Sequence, residues 1–147
     1  MTYVFNGECN ISIKQAFIDA YKPYHADTWY KYANDTEWRT ASITGLISGS
    51  DSSFPYTPTT QIPDVENVVE LEIGSDVTSI GDYAFYSCYS LTRVTIPDSV
   101  TSIGSYAFGG SSFTNITIPS SVTYLGNAFP YNKLTHVIFE GKTISQV

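Results

Sequence analysis

The sequence predicts an α+β chain: a short solenoid of parallel strand coils behind a small N-terminal α+β cap. Three observations predict it. First, one phrase recurs. Residues 91–108 read LTRVTIPDSVTSIGSYAF, after VVELEIGSDVTSIGDYAF at 68–85 and before FTNITIPSSVTYLGNAF at 113–129. A fourth copy begins at Leu134 as LTHVIFEGK. Second, the copies start 23, 22 and 21 residues apart, a period that belongs to stacked repeats. Third, residues 1–67 lack the phrase and carry helix and strand signals of their own.

The N-terminal elements come first. Tyr3-Val4-Phe5 reads as a short strand closed by Asn6-Gly7. Asn10 or Ser12 caps a helix in which Ile13, Ala16, Phe17, Ala20 and Tyr21 follow helical spacing, and Pro23 stops it. Asp27-Thr28 starts a further helical turn through Tyr32. WRTASITGLI at 38–47 reads as one strand, with Ala41 and Ile43 on one face. The Ser, Pro and Thr of residues 48–66 mark a connector, short enough to lie across the first coil. This divides the chain into a cap at 1–67 and repeats at 68–147: coils 68–90, 91–112 and 113–133, and a partial coil 134–147.

Within the repeats, Leu71, Val94, Ile116 and Val137 align, as do Ile73, Ile96, Ile118 and Phe139. The columns are two residues apart, so both face one side of a strand. A second apolar pair follows as Val77/Ile80, Val100/Ile103 and Val122/Leu125. Gly81, Gly104 and Gly126 are expected to turn the chain through positive φ. Ala84-Phe85, Ala107-Phe108 and Ala128-Phe129 close each coil with a phenylalanine inside. Pro97 and Pro119 end the strands, where a missing N–H costs little. The third copy lacks one residue between Gly126 and Ala128, which predicts a tighter turn. One coil cannot dry its own apolar face; stacking does so, at ~25 cal/mol per Å² of buried apolar area.

The period is that of leucine-rich repeats, and the phrase LTxVTIPxSVTSIGxxAF resembles the BspA-like (treponemal-type) leucine-rich repeat over residues 68–147. That family often places a Cys three residues after the Phe. Cys88 fits, whereas Ser111 and Asn132 stand there in the later copies. The resemblance implies a non-catalytic surface: adhesion, host-protein binding, or a cell-surface or virion component.

Composition narrows the partners. Seven Lys and Arg against fourteen Asp and Glu leave a net charge of −7, shared by cap and repeats. No basic run exists, so nucleic acid is not expected. No stretch approaches the ~20 apolar residues of a membrane span, so no membrane insertion is expected. The start, MTYVFNGECN, lacks the basic and apolar regions of a signal peptide. A surface, extracellular or virion location is nevertheless expected, from the resemblance and from a surface rich in Ser, Thr and Tyr. Cys88 reads as a small buried hydrophobe.

No catalytic constellation stands out and no cofactor or metal is expected. His25 and His136 are the only imidazoles, and neither accompanies a nucleophile or metal motif. The expected binding surface is the strand face, where residues between the buried columns project outward. One ladder is Glu70, Arg93, Asn115 and His136; the next is Glu72, Thr95, Thr117 and Ile138. Glu70 beside Arg93 is placed for a cross-strand ion pair. The alternative is a solvated sheet face with no ligand. Trp29, Tyr30, Tyr32 and Trp38 form a second candidate, a platform for sugar rings or else the core of the cap. A third is the turn tyrosines Tyr83, Tyr86, Tyr89, Tyr106 and Tyr131. The final strand HVIF is expected to leave an open coil, either a fragment edge or a face for pairing with another copy. Function is thus read as an interaction or adhesion module for a protein or surface glycan. A phage fibre or decoration protein and a carbohydrate-binding module are the alternatives.

Overall fold

A computed structural model describes residues 25–50 and 54–141. The expected strand at 3–5 and helix at 10–22 lie outside these. Among the described residues ten strands occur, in the order β1 (Thr28–Tyr32), β2 (Arg39–Ala41), β3 (Gly45–Ile47), β4 (Val68–Glu72), β5 (Val77–Ile80), β6 (Arg93–Thr95), β7 (Ser102–Ile103), β8 (Asn115–Ile118), β9 (Tyr124–Leu125) and β10 (His136–Phe139). The one helical element among the described residues is a 3-10 turn, Val65–Asn67.

The repeats form successive parallel rungs of a β-solenoid. Each coil contributes one strand to each of two sheets. On one side β4 pairs with β6 and β8 with β10; on the other, β5, β7 and β9 form one parallel ladder. The register matches the sequence columns: Leu71 faces Val94, Ile116 faces Val137, and Ile80 faces Ile103. Between β6 and β8 the strands lie side by side without a bonded ladder.

The third edge of the coil is built by its turns. Phe85 donates its N–H to Ala107, and Phe108 its N–H to Ala128. The side chains of Phe85, Phe108 and Phe129 stack at centroid distances of 5.2 and 5.7 Å. Phe85 and Phe108 are fully buried, with Val77, Val100, Ile103 and Ile118. In coils one and two the turn closes by Ala84 N–H to Gly81 O and Ala107 N–H to Gly104 O. In coil three Ala128 N–H reaches Gly126 O at 2.7 Å, so the missing residue gives a turn one residue tighter.

Gly81, Gly104 and Gly126 do not adopt positive φ. That conformation falls instead on Tyr83 and Tyr106 in the turn, and on Ser87, Gly110 and Tyr131 further along. The glycines are needed for close approach. A Cβ on Gly104 would stand 2.3 Å from Asp82 Oδ1 and 2.6 Å from Asp82 N; one on Gly126 would stand 2.8 Å from Ser105 Oγ.

Two expectations ahead of the repeats are corrected. Residues 28–32 are strand β1, not a helical turn. Thr28 and Tyr30 point inward while Trp29 and Lys31 point outward, the alternation of a strand. β1 pairs antiparallel with β4 and β2 antiparallel with β1, so this hairpin covers an edge that would otherwise expose unpaired N–H and C=O groups. The stretch 38–47 is two strands, not one. Gly45, at φ 78°, redirects the chain, and β3 joins β5 in parallel on the other sheet. Residues 54–66 pack on the first coil through buried Thr59, Ile62 and Val65, and Tyr56 stacks on Tyr83 at 4.3 Å.

At the other end β10 has one bonded neighbour among the described strands, and Val137 and Ile138 are 40% and 53% exposed. Val137 therefore departs from the buried column that Leu71 and Ile116 hold.

The column after the phenylalanines changes chemistry from coil to coil. Cys88 is a free, fully buried thiol, and burial pushes its pKa up to about 12. Asn132 satisfies its amide locally: it donates to Phe129 O and accepts from Leu134 N at 3.0 Å. Ser111 is buried with no partner for its hydroxyl. Replacing that hydroxyl by a thiol removes an unpaired buried polar group, so Ser111→Cys should stabilise the fold by about 1 kcal/mol. Urea denaturation checks this; a fall in stability would show that the site has no room for sulfur.

Candidate functional site

The outward face of the first sheet gathers residues from two separate parts of the sequence. Across the strands, Lys31, Glu70 and Arg93 stand in register, and so do Thr40, Trp29, Glu72 and Thr95. Further along, Asn115 faces His136 and Thr117 faces Ile138. Arg93, Thr95, Asn115, His136 and Ile138 are exposed; Glu70, Glu72 and Thr117 are half-buried. Both expected ladders therefore lie on a sheet face, and the hairpin widens it. Glu70 and Arg93 face each other, yet no ion pair joins them; at an exposed site such a pair offers little to offset side-chain ordering.

The aromatic segment divides because a strand alternates. Tyr30 is buried in the core. Tyr32 packs against the core, donates its hydroxyl to Pro63 O, and lies 4.8 Å beneath the Arg39 guanidinium. Trp29 and Trp38 are the two that reach the outer face, with centroids 6.3 Å apart. Their rings are already engaged. The His25 imidazole stacks on Trp29 at 4.1 Å and 6°, and Lys31 Nζ lies 4.9 Å from the Trp38 centroid. A sugar ring would have to compete with these contacts, so the four aromatics do not make one open platform.

His25 is itself held. Its Nε2 is 3.0 Å from Glu72 Oε2 and its Nδ1 faces the Asp27 carbonyl, so each ring nitrogen has an oxygen partner. Through it the segment before β1 is tied to β4. The hairpin turn is fixed by Asp35, which accepts from Arg39 Nε at 2.8 Å, Arg39 Nη2 at 3.0 Å and Tyr32 N at 3.0 Å. The Arg39 bond first, then the Tyr32 N–H, lowers the Asp35 carboxyl to about 2. Sequence reasoning placed His25 with no nucleophile or metal motif, gave it no other role, and passed over Lys31. Reading TWYKY as a strand would have placed Lys31 beside Trp29 on the outer face.

The turn tyrosines form a separate cluster on the third edge. Tyr56, Tyr83 and Tyr106 stack in sequence at 4.3 and 5.1 Å, and Tyr86 meets Tyr83 edge-on at 5.3 Å. Burial, then the neighbouring Tyr56, raises the Tyr83 phenol. Tyr89 and Tyr131 are exposed.

Among the described residues no group of three or more His, Cys, Asp or Glu side chains converges on a metal-sized site. None of the described helical segments is long and apolar enough to cross a membrane.

This geometry of short coils, stacked phenylalanines and parallel rungs agrees with the family comparison. A model of the BspA type leucine rich repeat region matches residues 64–146 in six copies. The chain belongs to the BspA-type leucine-rich repeat family. Members of this family are generally non-catalytic and often surface-associated. Among solved structures, the chain is similar to a leucine-rich repeat protein from Bacteroides ovatus, at 24% identity and a TM-score of 0.39, over 76% of this chain and 39% of that one. It is also similar to a leucine rich cell surface protein from Faecalibacterium prausnitzii, at 22% identity and a TM-score of 0.36, over 76% of this chain and 41% of that one. The chain thus spans about two fifths of the length of each. No curated protein matches it.

Proposed function

We propose that this BspA-type chain is a non-catalytic recognition module that binds a protein or surface ligand through the outer face of its first sheet. The observation that carries the proposal is the register of Trp29 with Glu72 and Thr95, and of Lys31 with Glu70 and Arg93. It joins the half-buried Trp29 to polar ladders whose Arg93 and Thr95 are exposed on the same surface. Such a mixture suits a protein interface: aromatics and Arg supply contact, and the polar rim supplies hydrogen bonds. Along one row the charges alternate, Lys31 positive, Glu70 negative and Arg93 positive, which favours a partner of complementary pattern over a uniformly charged one. Solenoids commonly recognise partners on such repeated surfaces.

The test is binding of the full chain to a panel of purified extracellular-matrix and cell-envelope proteins by biolayer interferometry. Arg93→Glu combined with Thr95→Arg should weaken any binding seen by at least about tenfold, or 1.4 kcal/mol. Tyr106→Leu, on another edge, should leave it unchanged. A double variant that binds as tightly as the parent chain refutes the assignment to this face.

A further inference from the structure

His25 stands just before β1 with an oxygen on each ring nitrogen. Its Nδ1 faces the Asp27 carbonyl, and its Nε2 lies 3.0 Å from Glu72 Oε2. A backbone carbonyl only accepts, and so does an ionised carboxylate. A neutral imidazole carries one N–H, so it bonds one of the two and turns a lone pair toward the other. The doubly protonated ring donates to both. A proton shared with Glu72 belongs on the imidazole, the stronger base of the two side-chain types. Positive charge also suits the third neighbour. The ring stacks on Trp29 at 4.1 Å and 6°, within the distance at which an indole face attracts a cation. The imidazole is 13% exposed and the Glu72 side chain 27%, so their contact is better shielded than a surface pair.

The other charged groups of the surrounding elements are engaged elsewhere. Asp27, on the same segment, accepts from Ser42 Oγ at 2.8 Å. Asp76, in the turn after β4, meets the segment through its N–H, which donates to Ala26 O at 3.3 Å. Lys31 of β1 places its Nζ 4.9 Å from the Trp38 centroid, and Glu70 and Arg93 stand in the neighbouring row of the sheet. Among the described residues, Glu72 is thus the countercharge that the ring meets directly. The backbone is held separately. Ser75 donates its N–H to His25 O at 2.8 Å, so losing a ring bond frees the side chain without releasing the segment.

We infer that His25 is a proton-operated latch over Trp29. Charged, the ring is held by the Asp27 carbonyl and Glu72 and covers the indole; neutral, it drops one of those bonds and uncovers it. The latch needs a charged imidazole and an ionised Glu72. It is therefore closed between the ordinary carboxylate and imidazole ranges, and it opens as pH rises through the imidazole range. The latch is a property of the free chain. Its consequence for a partner, that contact with Trp29 is favoured as pH rises, rests on the sheet-face reading above.

The experiment uses the full chain without a partner. Ring-nitrogen NMR at about pH 5.5 should show both His25 nitrogens protonated, with the ring still against Trp29. Trp38→Phe leaves Trp29 as the single indole, so acrylamide quenching then reports how far that ring is covered. The quenching constant should be at least about 1.5-fold higher at about pH 8 than at about pH 5.5, the span over which an imidazole changes charge. In the same background His25→Gln should bring that ratio to one. Glu72→Gln, which keeps an acceptor but loses the charge, should lower it, and His136→Gln should leave it unchanged. The inference is overturned if His25 carries a single N–H at about pH 5.5, if the ratio is already one in the Trp38→Phe chain, or if it survives His25→Gln or Glu72→Gln in full. A chain that opens in this way but binds no protein of the panel keeps the latch and removes only the sheet-face reading.

Discussion

Phe108→Ala should cost about 3–5 kcal/mol, the range for truncating a large buried aromatic. Phe108 is fully buried and stands between Phe85 at 5.2 Å and Phe129 at 5.7 Å, with Phe113 edge-on at 5.7 Å. It belongs to two coil interfaces at once, so its loss weakens the junction of coils one and two and that of coils two and three. In a stack where each coil contacts only its neighbours, interface energies largely set stability. Domains of this kind are stable by roughly 5–15 kcal/mol, so this one change removes a large part of the total. Phe129→Ala should cost clearly less, because Phe129 is half-buried and has one coil neighbour. Urea denaturation followed by tryptophan fluorescence and circular dichroism gives both values. A loss below about 1 kcal/mol for Phe108→Ala would mean that the coils do not depend on the phenylalanine stack.

Gly104→Ala should destabilise by about 2 kcal/mol or more, toward the upper end of overpacking costs. The added Cβ would meet Asp82 N at 2.6 Å and the Gly81 carbonyl carbon at 2.8 Å, both backbone, so no side-chain rotation relieves it. Coils one and two would have to separate there, stretching the bond from Gly104 N–H to Ile80 O, now 2.8 Å. The other glycines supply the control. At Gly81 the nearest atom is Ile47 O at 3.1 Å, so Gly81→Ala should cost less. At Gly45 nothing lies within 4 Å, so Gly45→Ala pays only for its φ of 78°, about 1–2 kcal/mol. If Gly104→Ala is no worse than Gly81→Ala, close approach of the coils is not what selects glycine there.

The abundance of hydroxyl residues also has a structural cause. Thr92, Thr101, Thr123 and Thr135 each donate a hydroxyl to a backbone carbonyl of the preceding coil, as do Ser112 and Ser121. Composition alone suggested an extracellular surface. The four threonine hydroxyls add a second bond to carbonyls that already accept the same residue's backbone N–H, so these side chains reinforce the coil-to-coil contact in each repeat.

The sequence by itself determined the coil: its period, its strand register, the shortened third turn and, apart from the exposed Leu125 and Val137, its buried columns. Each of these repeats, and a repeated contact leaves the same residue type at the same offset, as in Leu71, Val94 and Ile116 or Phe85 and Phe108. Only the tertiary structure decided what happens once. That Thr28–Tyr32 is a strand depends on an open β4 edge some forty residues away, which overrides any local helical preference of a five-residue segment. The same pairing sorts Tyr30 into the core and Trp29 onto the outer face of the sheet. The glycine columns were legible, but their cause was not, because a clash with the neighbouring coil exists only after the coils have stacked.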